Sequence, residues 1–179
     1  MAFKYSVYQV MVPELGYEDT AQLAAEYGYD GIEWRIGMSG NHHPYDSVVK
    51  PARGVTGDYK YWTKVRETIE IADLVENAPR LKKIAADNGL AIPAMGTYLN
   101  LGTPNLLPQA EEVFKAAEIM ECPQFRIGSP KYFRDKTVET YQQLYKGAIE
   151  KLTEIEKLSR RYGVKANIEI HADSLSPSA

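Results

Sequence analysis

Apolar residues along the chain follow two alternating patterns, short β-like runs and longer helical repeats. The clearest helix is predicted over residues 137–162. There Tyr141, Tyr145 and Ala148 recur at steps of four and three, which places them on one helix face. Regular alternation of strands with helices predicts βαβ units and a parallel sheet. Five strands are predicted, over residues 4–11, 29–35, 91–99, 124–128 and 164–171.

Three further helices are predicted over residues 18–27, 73–88 and 108–121. The start of the second is open, because Pro79 fits only the first turn of a helix. Gly28, Gly89 and Gly163 each stand where a helix end needs a left-handed residue, and an apolar strand follows at once. This pattern indicates a repeated joint between helix and strand, although common capping chemistry could produce it by chance.

The second unit is longer than the others and contains an insertion over residues 36–68, rich in glycine and aromatic residues. Insertions after the C-terminal end of a strand are where barrel enzymes build substrate loops. A decorative surface loop is the alternative. His42 and His43 lie in this insertion, and we do not expect them to be metal ligands.

A doubly wound sheet and a barrel both alternate strands with helices, so the chemistry at the strand ends has to separate them. No glycine-rich G-x-G-x-x-G motif follows the first strand, which disfavours a dinucleotide-binding unit. Polar residues instead recur near the C-terminal end of nearly every strand, where a barrel gathers its functional groups. Taken singly, each has a simpler explanation as a solvated strand end. They are Gln9, Glu33, Arg35, Tyr98, Asn100, Arg126, Ser129, Glu169 and His171.

Composition narrows the possible functions. The 179 residues are 44% hydrophobic and carry a formal net charge of −3, with no run of Lys or Arg longer than two, which argues against nucleic acid as a partner. No signal peptide or membrane span is evident. Cys122 is the only cysteine, so no internal disulfide can form. We therefore expect a single cytoplasmic domain over residues 1–179.

Four segments carry a resemblance to a known family. They are YDGIEWR, GLAIPAMGTYLN, CPQFRIGSPKYF and, most specifically, NIEIHADSLSPSA. Together they resemble the sugar phosphate isomerase/epimerase family with the xylose-isomerase-like TIM barrel. The resemblance implies a (β/α)8 barrel of which this chain holds about the first five βα units, a partial barrel.

The resemblance also implies a divalent metal, held by a Glu on strand five and by an Asp, a His and a Glu on the three strands after it. Only Glu169 maps onto this set, as metal ligand and as one of two glutamates that move a proton. The chain stops at Ala179, soon after strand five, whereas a complete barrel takes about 250 residues. The remaining ligands are therefore missing from the match. Mn²⁺, Mg²⁺, Co²⁺ and Zn²⁺ all stay open as the metal.

Such enzymes remove a proton next to a carbonyl, and the enediolate that forms needs its oxygens stabilised. His171 lies two residues after Glu169, so strand alternation puts both on one face, where His171 is expected to bind a substrate hydroxyl or to act as a structural donor. Glu33 and Arg126 are expected to bind substrate hydroxyls, phosphate or carboxylate. A buried Glu–Arg ion pair is the alternative for both.

The leading hypothesis is thus a metal-dependent isomerase or epimerase acting on a sugar or sugar phosphate. The first alternative is a non-catalytic half-barrel that self-associates through its open sheet edges. The second is a phosphodiesterase resembling the abasic-site endonucleases, which the acidic charge balance and the lack of histidine on strands three and four disfavour.

Overall fold

The computed structural model describes residues 3–37, 65–132, 137–171 and 174–176. Within these ranges six strands and four α-helices alternate along the chain. The strands are β1 (Ser6–Tyr8), β2 (Gly31–Gly37), β3 (Ile69–Glu70), β4 (Met95–Thr97), β5 (Gln124–Gly128) and β6 (Lys165–Glu169). The helices are α1 (Tyr17–Glu26), α2 (Leu74–Asp87), α3 (Leu106–Ile119) and α4 (Val138–Tyr162).

All strand pairs between these elements are parallel, and the sheet has the order β1-β2-β4-β5-β6, with β3 pairing the end of β2. If the short β3 is set aside, each strand therefore lies next to the strand before it in the chain. The helices pack side by side in chain order, α1 on α2, α2 on α3 and α3 on α4. This sequential parallel order with an outer layer of helices is that of a partial TIM barrel, so the predicted fold class is confirmed.

The two faces of the sheet differ in chemistry because side chains alternate along each strand. On β2, Ile32, Trp34 and Ile36 are fully buried in the hydrophobic core between sheet and helices. Trp34 meets Tyr17 of α1 edge to face, with ring centroids 5.3 Å apart. Glu33 and Arg35 alternate with these residues and so lie on the opposite face, which is the inside of the barrel.

The three predicted glycine joints are present. Gly28, Gly89 and Gly163 have φ angles of 75°, 69° and 65°, the left-handed conformation that a helix end requires. A fourth joint, between α3 and β5, uses Glu121 with a φ of 55°. A side chain in this left-handed conformation is strained, so glutamate at position 121 lowers the stability of the fold relative to glycine.

Three predicted strands, β1, β4 and β6, are shorter than their patterns suggested, and β6 covers only Lys165–Glu169 of the predicted 164–171. β1 ends at Tyr8, and residues Gln9–Met11 form a 3-10 turn rather than continuing the strand to residue 11. Apolar alternation persists through this turn because Val10 is buried. β4 likewise covers only Met95–Thr97 of the predicted 91–99, although an isolated bridge joins Ala91 to Gly31.

The helix predicted over residues 73–88 is present as α2, whose start the sequence leaves open because Pro79 fits only a first turn. α2 begins at Leu74, so Pro79 lies inside the helix and not in its first turn. An interior proline removes a hydrogen bond and costs about 3 kcal/mol. Burial of one helix face offsets this cost, since each buried aliphatic side chain contributes about 1.5–3 kcal/mol. Leu74, Leu81 and Ile84 form that face with the smaller Ala78 and Ala85.

Most of the predicted insertion, including His42 and His43, lies outside the described residues. The last residues of this insertion are described and lead into β3, a two-residue strand that the sequence analysis missed.

None of the described helices is both long enough and apolar enough to cross a membrane.

Candidate active site at the strand ends

The inner face of the sheet carries five polar side chains near the C-terminal strand ends, which we call the mouth cluster. Parallel strands bring these ends to one edge of the sheet, the edge at which barrel enzymes place their chemistry. The mouth cluster consists of Tyr8 on β1, Arg35 on β2, Tyr98 after β4, Arg126 on β5 and Glu169 at the end of β6.

An ion pair joins the last two strands of the mouth cluster. Arg126 Nη1 donates to Glu169 Oε1 at 2.9 Å, with the two side chains 28% and 37% exposed. Arg126 is fixed further by Nε and Nη2, which donate to the Thr97 carbonyl at 3.3 and 3.2 Å. Burial alone would lower the pKa of Arg126, but the adjacent Tyr8 and Glu169 raise it above its ordinary value. The guanidinium is thus a permanent cation that orients the Glu169 carboxylate.

Tyr8 crosses the inside of the barrel from β1 to β4. Its hydroxyl donates to the Gly96 carbonyl at 3.4 Å, and its ring occupies the space that a side chain at position 96 would need. Burial raises the pKa of Tyr8 above its ordinary value, and the neighbouring Tyr98 raises it further. The hydroxyl therefore stays protonated and can act as a hydrogen-bond donor.

The ring of Tyr98 lies against two guanidinium groups. The Cζ atoms of Arg35 and Arg126 are 4.8 and 5.2 Å from its centroid. Both distances fall within the range of cation–π contacts. Tyr98 thus links two cations of the mouth cluster into one electropositive region.

The structure separates the residues that the sequence predicted as substrate-binding. Arg126 joins the mouth cluster, but its ion-pair partner is Glu169 and not Glu33. Glu33 lies one inward position deeper on β2 than Arg35, and it accepts a hydrogen bond from Ser6 Oγ at 2.8 Å. Its role in substrate binding stays a prediction.

His171 lies two residues beyond the end of β6, and it is exposed. The argument that strand alternation carries it to the same face as Glu169 therefore does not apply, because the strand ends first. The carbonyl of His171 accepts a hydrogen bond from Ser174 Oγ at 2.6 Å. Substrate binding by its imidazole stays a prediction.

Two other polar residues at strand ends hold the fold together. Gln9 is buried, accepts from the Arg35 amide at 3.1 Å and donates to the Glu67 carbonyl at 3.1 Å. Asn100 donates to the Ser129 carbonyl at 2.7 Å. Tyr8, in contrast, was missed by the sequence analysis, although it alternates with Ser6 on the inner face of the same strand.

The predicted metal site is not complete within the described residues. In those ranges no three His, Cys, Asp or Glu side chains come close enough to hold a metal ion. Glu169 offers one carboxylate, one oxygen of which already accepts from Arg126. A structural metal site usually takes four protein ligands and a catalytic one three, so the described donor set does not by itself fit the metal that the resemblance implies.

Residues 21–177 match the family model described as xylose isomerase-like TIM barrel. The chain belongs to this family. The resemblance stated from the sequence is therefore confirmed, and the match covers every residue of the mouth cluster except Tyr8. A search of curated proteins gives no significant match.

Solved structures share the fold at low identity. One is the probable 3-DHS dehydratase AsbF of Bacillus anthracis, involved in petrobactin synthesis, with 17% identity, a TM-score of 0.63, and coverage of 97% of this chain and 54% of that one. The 3-keto-D-glucoside 4-epimerase YcjR of E. coli has 16% identity, a TM-score of 0.60, and coverage of 88% and 52%. The IOLI protein with a bound zinc atom has 13% identity, a TM-score of 0.62, and coverage of 97% and 54%. The chain thus spans about half the length of the solved structures that it matches.

Proposed function

We propose that the chain supplies part of the active site of a sugar or sugar-phosphate isomerase or epimerase, in which Glu169 transfers a proton at a carbon next to a carbonyl. The observation that carries this proposal is the Glu169 carboxylate at the sheet edge, held by Arg126 at 2.9 Å. Family membership supports it, as does the description of one solved neighbour as an epimerase.

In this mechanism Glu169 acts as the general base. One carboxylate oxygen takes the proton from the carbon, and the electron pair of that C–H bond forms the double bond of an enediolate, whose oxygen gains negative charge. Protonation of the same carbon on its other face gives the epimer and needs a second acid, the second glutamate that the family resemblance implies, while Glu169 keeps the proton it took. Return of that proton from Glu169 to the neighbouring carbon, with the hydroxyl proton moving to the other oxygen, gives the isomer. Arg126 keeps the carboxylate in place through both steps, because three of its donors are already fixed.

The developing negative charge needs donors that are in place before the reaction. Tyr8 fits this role because its hydroxyl stays protonated and lies, like Glu169, next to Arg126. Its single proton would turn to the enediolate oxygen from the Gly96 carbonyl, to which it makes only a long hydrogen bond of 3.4 Å. We include Tyr8 in the proposal as the residue that donates to the enediolate oxygen. Glu33 and His171 remain in it as predicted ligands of substrate hydroxyls.

A bound divalent metal would act as a Lewis acid and stabilise the same oxygens. Among the described residues, Glu169 would supply one carboxylate ligand to it. The other ligands would have to come from outside the described residues. If Glu169 is a ligand, Mn²⁺ should raise the melting temperature of the protein, by about 5–10 °C at a hundred times its Kd, and Glu169→Gln should abolish this rise.

The test of the function is product formation from a panel of aldoses, ketoses and their phosphates, with Mn²⁺ present. Removing a general base costs about 10²–10⁴-fold in rate, so Glu169→Gln should lose at least a hundredfold. Glu154→Gln is the matched control, since Glu154 is a half-exposed glutamate of α4 paired with Lys157 at 2.7 Å, remote from the mouth cluster. Turnover that survives Glu169→Gln would contradict the proposal.

A further inference from the structure

Arg35 is the cation of the mouth cluster that forms no ion pair with a described side chain. It is 1% exposed, and its Nε and Nη1 atoms have no hydrogen-bond partner. None of the ion pairs between described side chains includes it. The face of the guanidinium is occupied by the ring of Tyr98.

A buried charge without a partner is strongly unfavourable, and proteins keep one only where a counter-ion completes it. Arg126 shows the contrast within the same cluster. It stacks on the same ring, but Glu169 balances its charge and the Thr97 carbonyl accepts from its Nε and Nη2 atoms. Of the two arginines, Arg126 is therefore already occupied, and Arg35 is the one that can bind an anion.

We propose that Arg35, stacked on Tyr98, forms a binding subsite for an oxyanion, a phosphate or carboxylate group carried by the sugar substrate. Stacking covers the face of a planar guanidinium and not its N–H donors, which can bind the oxygens of such a group. Tyr8 lies in the same cluster and supplies a protonated hydroxyl. The identity of the substrate as a sugar rests on the proposed function, whereas anion binding itself requires neither metal nor turnover.

The experiment measures the melting temperature of the 179-residue chain in inorganic phosphate and, separately, in acetate, with chloride as the reference at constant ionic strength. At ten times its Kd the bound anion should raise the melting temperature by about 3–6 °C. Arg35→Met should abolish the rise. It should also leave the protein at least as stable in chloride, because it removes an unpaired buried charge.

Arg161→Met is the matched control. Arg161 also stacks on a tyrosine, with its Cζ atom 5.1 Å from the ring centroid of Tyr162, but it is exposed and paired with Glu111. This variant removes the same charge and should keep the full response to the anion. Arg35→Lys serves as a second variant, which retains the charge without the two-pronged edge and should respond more weakly than the wild type.

A response to phosphate alone identifies a phosphorylated substrate, and a response to acetate alone identifies a sugar acid. Either result, lost in Arg35→Met and kept in Arg161→Met, supports the subsite. No response to either anion in the wild type, or an equal response in Arg35→Met, would overturn it. A subsite that binds anion in a protein without isomerase activity would refute the proposed function and leave this inference standing.

Discussion

Replacing Gly96 by alanine tests the placement of Tyr8 across the inside of the barrel. A Cβ atom at position 96 would lie 2.6 Å from Cε2 and from Cζ of Tyr8, and closer still to its hydroxyl oxygen. Real Cβ atoms do not approach other heavy atoms this closely, and an aromatic ring has few ways to yield. The ring must therefore leave its position, or β4 must move.

The expected cost follows from overpacking, which destabilises a packed interior by about 1–3 kcal/mol. For a chain of this size that corresponds to a melting temperature roughly 2–12 °C lower. Thermal unfolding followed by circular dichroism measures it. Because the clash needs the ring, Gly96→Ala should cost much less in a Tyr8→Ala background, with an interaction energy of about 0.5–3 kcal/mol.

Gly147→Ala is the matched control, because a Cβ atom at position 147 meets nothing within 4 Å. Gly147 lies inside α4, where alanine should raise stability by about 0.5–1 kcal/mol. The two identical substitutions therefore have opposite expected signs. If Gly96→Ala matches the wild type, or costs the same with and without the Tyr8 ring, the reasoning is refuted.

Two further predictions concern other parts of the fold. Burial raises the pKa of the Cys122 thiol from 9.0 to about 11, so its contribution to stability is complete below pH 8 and is lost as the pH rises from about 9 to 11. Native protein should react with iodoacetamide at pH 8 about 100-fold more slowly than urea-unfolded protein; equal rates would contradict this burial. Glu121→Gly should raise the melting temperature by about 2–4 °C, because glycine tolerates the left-handed backbone, and a lower melting temperature would show that the ion pair with Lys82 at 2.8 Å outweighs the strain.

Periodicity was sufficient to predict a parallel sheet covered by helices, whereas the prediction of a barrel came from the strand ends and the family resemblance. The five predicted strands are present in parallel order, and the three glycine joints have the expected conformation. Strand ends were less predictable, because Val10 is buried in a turn as deeply as it would be in a strand. Pro79 is tolerated inside α2 because neighbouring elements bury one face of the helix. A local sequence pattern carries no information about that burial.

Four of the five residues of the mouth cluster were selected from the sequence, but their arrangement was not predicted. Glu169 and Arg126 were both selected from the sequence, yet their pairing depends on the register that sets Gly128 beside Glu169. Arg35 and Tyr98 were noted as polar strand ends, whereas their stacking is a tertiary contact. Gln9 was favoured over Tyr8 because β1 was predicted too long. Self-association through the edge strands β1 and β6 stays a prediction.

The most direct test of the central claim follows the proton itself. The protein is incubated with Mn²⁺ and the substrate panel in D₂O, and NMR measures deuterium entering the carbon next to the carbonyl. The account predicts exchange at that one carbon, at least a hundredfold slower in Glu169→Gln and unchanged in Glu154→Gln. Exchange at the same rate in Glu169→Gln, or no exchange in the wild type with any member of the panel, would contradict it.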